Sequence, residues 1–204
     1  MELVVLNIAY PFAPVGPDVS GEAEKTLAQL DAALTHAGHE SFVMACEGSV
    51  SEGILLATPR LSGFLDEAER HRIHEQYRFT LRSFLKKWPI DLIHMHGADF
   101  YEYLPEPGVP VLVTLHSPIE QYPEMIFRLD RPQTFLHCPS ADQRRACPPC
   151  ENLLRETVDG ELSQTAGASI EKYFSIYERL VEEARALETA TVAGIQFEAE
   201  TVHA

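Results

Sequence analysis

The sequence predicts an α/β fold: a single Rossmann-like domain with a mostly parallel sheet flanked by helices, plus a C-terminal amphipathic helix packing back on it. Three observations carry this. Short β-branched and leucine-rich runs recur between residues 2 and 137, each bounded by turn residues. These runs are apolar without alternation, as expected of strands buried on both faces. Between several of them, apolar residues repeat at three- and four-residue steps, the period of a helix with one buried stripe. Strand–helix alternation of this kind implies right-handed crossovers and a parallel sheet.

Taken in order, Glu2 to Ala9 is the first strand, with Leu3, Val4, Val5, Leu6 and Ile8. Tyr10 to Gly21 holds three prolines and two glycines and forms a broad loop. A helix opens at Glu22, with Ala23, Leu27, Leu30, Leu34 and Ala37 on one stripe, and Gly38 ends it. Ser41 to Cys46 and Ile54 to Ala57 are two further strands. A long helix spans about Gly63 to Lys87, with Leu65, Ile73, Tyr77, Leu81 and Phe84 inward and Pro89 closing it. Ile90 to Met95, Val109 to Leu115 and Thr134 to His137 complete six strands. Residues 1–150 thus form the domain, and 151–169 show no period and are expected as a linker. Ile170, Tyr173, Phe174, Tyr177, Leu180, Val181 and Ala184 make one stripe of a helix over 170–188, followed by a flexible tail over 189–204.

Composition narrows the function classes. The chain has 204 residues, 45% hydrophobic, with 31 Asp+Glu against 16 Lys+Arg and a net charge of −15. That balance argues against a nucleic-acid or anionic-membrane binder, since both require basic faces. No apolar run reaches about 18 residues, so no transmembrane segment is expected. The acid at Glu2 stands where a signal peptide carries positive charge. Four cysteines are too few for a disulfide framework, and the expected setting is reduced and cytoplasmic.

In a parallel open sheet the ligand lies outside the carboxyl ends of the strands, near the point where strand order reverses. The segments leaving those ends are Tyr10–Gly21, His94–Phe100 and His116–Tyr122, which hold prolines, glycines and histidines. The first of them feeds a helix N-terminus, a place where free backbone N–H groups favour an anion; equally, its glycines and prolines serve to shape a long loop. The dinucleotide pattern Gly-x-Gly-x-x-Gly is absent, so no nicotinamide or flavin cofactor is expected.

Taken together, this loop, Ala37-Gly-His39, Asp91-Leu-Ile-His94-Met-His96-Gly97 and Val111-Leu-Val-Thr-Leu115-His116-Ser-Pro resemble the N-terminal domain of family 4 glycosyltransferases. Those are retaining enzymes of GT-B fold, and the resemblance covers about residues 3–148. It implies a Gly-Gly-x-Glu-like segment beside the donor diphosphate. Gly21 matches its first glycine and Glu24 its acid, but Glu22 stands at the second glycine, where a carboxylate repels a diphosphate. It implies that His116 lies near the transferred sugar as the catalytic candidate, with His96 and Gly97 on the same rim. The implied substrate-binding set is Gly16, Asp18, Gly21, Glu22, His96 and Gly97. Ordinary loop or core histidines are the competing account of His96 and His116, and their shared sheet edge favours the site.

The family's second domain carries a Glu-x7-Glu signature with basic residues for the donor phosphates. No such stretch follows Cys150; Glu171 and Glu178 lie on the amphipathic helix. Some 55 residues beyond Cys150 do not build a second Rossmann domain, whereas Ser169–Glu188 resembles the helix that returns to the first domain in GT-B proteins. The expectation is therefore an acceptor-side half of a hexosyltransferase with its donor domain missing, incomplete by itself. It would use a nucleotide-sugar as donor substrate, a sugar or lipid-type acceptor, and a separate donor-domain polypeptide. The alternative is a non-catalytic Rossmann-like binding or oligomerisation domain, with a homodimer as one partner arrangement.

Two further clusters invite a metal. His137, Cys138, Cys147 and Cys150 offer zinc-type ligands, but with a single Cys-x-x-Cys the pattern favours a buried Cys138 and a loop thiol pair. His71 and His74 share a helix with Glu67, Glu69, Arg70, Arg72 and Arg78, which points to a solvated face.

Overall fold

The computed structural model describes residues 1–60, 63, 65–158 and 166–201, with side chains in the last segment described over 168–191. Seven strands form one sheet: β1 (Val4–Ile8), β2 (Glu40–Cys46), β3 (Ile54–Thr58), β4 (Leu92–Met95), β5 (Val111–Thr114), β6 (Thr134–Cys138) and β7 (Leu153–Thr157). The helices are α1 (Glu22–His36), α2 (Glu67–Leu85), α3 (Ala141–Ala146) and α4 (Ala166–Thr201). Strand order is β3-β2-β1-β4-β5-β6-β7 and every pairing is parallel. The order reverses between β1 and β4, and in open parallel sheets the carboxyl ends at such a reversal are the usual ligand edge.

Strand parity divides the core. Leu6, Ile8, Ile93, Met95, Val111, Val113, Leu136 and Cys138 face α2, through Ile73, Tyr77, Leu81 and Phe84. Val5, Leu92 and Leu112 face the other way, onto Leu30 and Leu34 of α1 and Tyr173, Ile176, Tyr177, Leu180 and Val181 of α4. The returning helix thus packs on the domain through the stripe its periodicity predicts. Arg185 fastens it further, donating to Asp91 Oδ1 (2.6 Å), while Asp91 Oδ2 accepts from Val4 N–H (2.9 Å).

Three local features depart from expectation. The stretch 151–169, expected as a linker, contains β7. An edge strand with Arg155 and Glu156 exposed shows no apolar run, so its sequence gives no strand pattern. Backbone helix continues through the expected flexible tail as far as Thr201, and residues 202–204 lie outside the described ones. The long second helix begins at Glu67 and not Gly63, where Asp66 and Glu69 form a reciprocal capping box.

The β2–β3 crossover, residues 47–53, has no helix, although parallel neighbours usually need about a dozen residues to connect. Asp31 of α1, itself buried, holds the shortcut in place. Its carboxylate accepts from Ser41 Oγ (2.6 Å), Ser51 Oγ (2.8 Å), Glu52 N–H (2.8 Å) and Gly53 N–H (3.3 Å). A side chain at Gly53 would collide with the Ser41 carbonyl oxygen and the Asp31 carboxylate.

Candidate functional site at the carboxyl edge

Period-two geometry places alternate residues of a strand on one face. His94 and His96, Thr114 and His116, and His137 in register with Thr114 therefore gather on the α4 side of the sheet's carboxyl edge. The result is a polar layer over an apolar one. His94 is fully buried, with Nδ1 2.6 Å from the Tyr177 hydroxyl of α4 and Nε2 2.7 Å from Thr114 Oγ1. Thr114 Oγ1 also meets His137 Nδ1 (3.2 Å) and the Tyr173 hydroxyl. A consistent assignment runs from Tyr177 O–H to His94 Nδ1, from His94 Nε2–H to Thr114, and from Thr114 O–H to His137.

At the rim, His96 Nδ1 lies 3.1 Å from His116 Nε2 and the rings stack with centroids 5.3 Å apart. Only one of the two nitrogens carries the shared proton. The outward atoms, His96 Nε2 and His116 Nδ1, must then be of opposite kind, one donor and one acceptor. His96 Nε2 is buried with no partner among the described residues, as are both side-chain polar atoms of Asn7. Asn7 sits on β1 in register with His94. Unmet hydrogen-bonding capacity at a sheet's ligand edge is a feature of binding sites, since buried polar groups are otherwise paired.

Burial keeps these imidazoles neutral. The pKa values of His94 and His96 are driven well below the ordinary value, first by desolvation and then by the neighbouring histidines. His116 is partly exposed at its outer edge, yet burial, followed by His137, pushes it down to about 3. A neutral His116 suits the orientation of a hydroxyl group and not the carrying of positive charge.

The other predicted site residues lie along the first βα loop and beyond β4. Gly16 packs near Val19 and near Val50 of the β2–β3 crossover, where Val50 N–H also donates to the Val15 carbonyl. Asp18 and Glu22 are exposed. Gly21 caps α1 without a side-chain hydrogen bond, and the Glu24 carboxylate folds back over it. The helix N-terminus is thus already faced by a carboxylate of the chain itself. Gly97 is buried where a side chain would collide with the Tyr103 hydroxyl.

Tyr103 belongs to a second polar group, on the α2 face. Its hydroxyl donates to Asp99 Oδ1 (3.0 Å), and Asp99 Oδ2 lies 2.6 Å from His74 Nε2. His74 is buried beneath Phe12, so the solvated face expected for the helix histidines is corrected for this one. It lies three residues before Tyr77 and thus on the inward stripe, whereas His71 is exposed beside Glu75. Arg70 covers the Phe12 ring at 4.6 Å and donates to the Tyr10 hydroxyl (3.3 Å), tying the first loop to α2. A groove of about 730 Å³ between α2 and residues 103–109 also opens on this face, away from the histidine layer.

The cysteines do not assemble with His137. Adjacent residues of a strand point to opposite faces, and Cys138 lies in the α2-side core while His137 faces Thr114. Cys138 Sγ meets Cys147 Sγ at 3.4 Å. Among the described residues no three His, Cys, Asp or Glu side chains are grouped to hold a metal ion.

The reversed strand order defines a Rossmann-like domain, with the polar layer at the carboxyl edge beside the β1/β4 switch point. Its kind is settled by a match of residues 23–150 to the model of Glycosyltransferase Family 4, more than half of the chain. The chain belongs to that family. No curated protein matches it. Among the described residues no helix is long and apolar enough to cross a membrane.

Proposed function

We propose that the chain forms the acceptor-side half of a retaining GT-B glycosyltransferase, with His96 and His116 on the wall that receives the acceptor hydroxyl and the transferred sugar. The observation that carries this is the stacked histidine pair, with the unpartnered His96 Nε2, at the switch-point edge of a family 4 domain. A sugar hydroxyl is donor and acceptor at once, and complements the opposite polarities of the two outward ring nitrogens. In such a reaction the acceptor oxygen is held near the anomeric carbon while cationic groups and helix N-termini stabilise the departing diphosphate. Glu22 and Glu24 at the first turn of α1 oppose a diphosphate there. Donor binding then falls to a second domain or polypeptide, in a cytoplasmic setting, with a sugar or lipid-type acceptor.

Calorimetric titration of the chain with UDP- and GDP-sugars and the free diphosphates, alongside hydrolysis and transfer assays, tests this reading. Donor binding is expected to be absent or weaker than micromolar, and His116→Ala should abolish transfer once a donor-domain partner is supplied. Micromolar or tighter donor binding, or turnover by the isolated chain, would overturn the acceptor-half assignment. The alternative, a non-catalytic oligomerisation domain, draws support from the open β3 edge, where Ile54 is exposed. A dimer by light scattering that Ile54→Lys dissolves would favour it.

A further inference from the structure

β6 ends at Cys138, Ser140 caps the short helix α3 by accepting from Gln143 N–H (3.2 Å), and Cys147 is the residue that closes α3. The chain therefore turns back on itself over 138–147 and sets the two thiols 3.4 Å apart against the α2-side core. Within that turn, Gln143 Nε2 donates to the Leu115 carbonyl (2.7 Å) and to the Ser117 carbonyl (2.8 Å). These carbonyls flank His116 on both sides, so one amide group brackets the backbone that aims the imidazole.

We propose that Cys138 and Cys147 are a reversible disulfide-forming pair, and that Gln143, on the helix they bracket, is a positioning residue carrying the state of that pair to His116. The second half rests on the acceptor-wall reading of His116; the first does not. Sulfurs in contact need only a small approach to bond, and the turn over 138–147 brings both to one place. Exchange with a small disulfide such as oxidised glutathione balances the step. Cys147, the more accessible thiol, attacks as thiolate and displaces one glutathione thiolate. Cys138 then gives up its proton and displaces the second glutathione from Cys147 Sγ. Two cysteines are oxidised, one glutathione disulfide is reduced to two thiols, and those thiols carry the two protons. Burial raises both cysteine pKa values, which slows exchange at neutral pH and makes it faster in alkaline buffer.

The test uses the full chain and its Cys147→Ser and Cys150→Ser variants, equilibrated in mixtures of oxidised and reduced glutathione, then alkylated and mapped by mass spectrometry. The expected result is loss of two of the four alkylatable thiols and a crosslinked peptide pair joining Cys138 to Cys147. The Cys138–Cys147 crosslink should persist in Cys150→Ser, with two of its three thiols lost, and vanish in Cys147→Ser. A Cys147–Cys150 link, a stable glutathione adduct, or four thiols still reactive would overturn the pair. The imidazole 15N signals of His116, assigned with His116→Gln, test the coupling. They should shift on oxidation in the native chain and stay fixed in Gln143→Ala; equal shifts in both would sever the link to Gln143. Neither readout uses transfer activity, so failure of this inference is distinguishable from failure of the acceptor-half reading.

Discussion

At Gly97 the motif residue and the structural residue coincide. A methyl group there would strike the Tyr103 hydroxyl, whose bond to Asp99 orders the residues leaving β4. Gly97→Ala should therefore cost about 1–3 kcal/mol through overpacking. Removing the obstructing oxygen in Gly97→Ala/Tyr103→Phe should recover part of it, a coupling that urea midpoints in a double-mutant cycle would read. Independent additivity of the two changes would show that the collision is relieved elsewhere. That His96 and His116 share the carboxyl edge was legible because strand ends and family motifs mark them. His94 and Thr114 fall inside the same motifs, and His137 stands beside the cysteines. That the three form one hydrogen-bonded layer was not legible, because it depends on the register between β4, β5 and β6. Gln143 was illegible, since a glutamine on a six-residue helix declares nothing until its amide is seen between two carbonyls.

At the scale of elements, two polar contacts do what apolar packing alone does not. Asp31 replaces the missing crossover helix between β2 and β3 with four hydrogen bonds. Asp31→Ala leaves buried donors unpaired and should cost about 3 kcal/mol, which for a chain of this size lowers Tm by roughly 10 °C. Asp31→Asn, which keeps acceptor capacity on one oxygen, should recover about half in the same calorimetric scans. A melting temperature unmoved by Asp31→Ala would mean that the crossover holds without it. The second contact is Tyr177 to His94, which joins α4 to the histidine layer. Tyr177→Phe leaves a ring nitrogen unpaired under an otherwise intact core and should cost about 1–3 kcal/mol. Hydrogen exchange in α4 should accelerate with it; unchanged α4 protection would assign the docking wholly to the apolar stripe. The strands and long helices were legible from their periods, because burial on two faces and on one stripe writes itself into composition. β7 and α3 were not: one is a charged edge strand, the other too short to complete two turns.

The whole molecule gathers several neutral histidines in an acidic chain, and its response to pH follows from which group titrates first. His94, His96 and His116 have folded-state pKa values below the unfolded value of about 6.5. Below that pH the unfolded chain binds protons that the folded chain refuses, so stability is lost as pH falls. For His116 the loss continues until pH about 3. Acid also relieves the self-repulsion of a net charge of −15, but carboxylates titrate near pH 4, well after the histidines. Between about pH 7.5 and 5.5 the histidines therefore dominate. Each contributes on the order of 1 kcal/mol of lost stability over that interval, and the three losses add with the same sign. Such a loss is a large fraction of the roughly 5–15 kcal/mol that holds a domain folded. Urea unfolding at several pH values should show the midpoint falling over this window, with His116→Gln removing about a third of the dependence. A midpoint that holds steady or rises on acidification would mean that the histidine layer accepts protons in the folded state, and would give His116 a charge the proposed acceptor wall does not use.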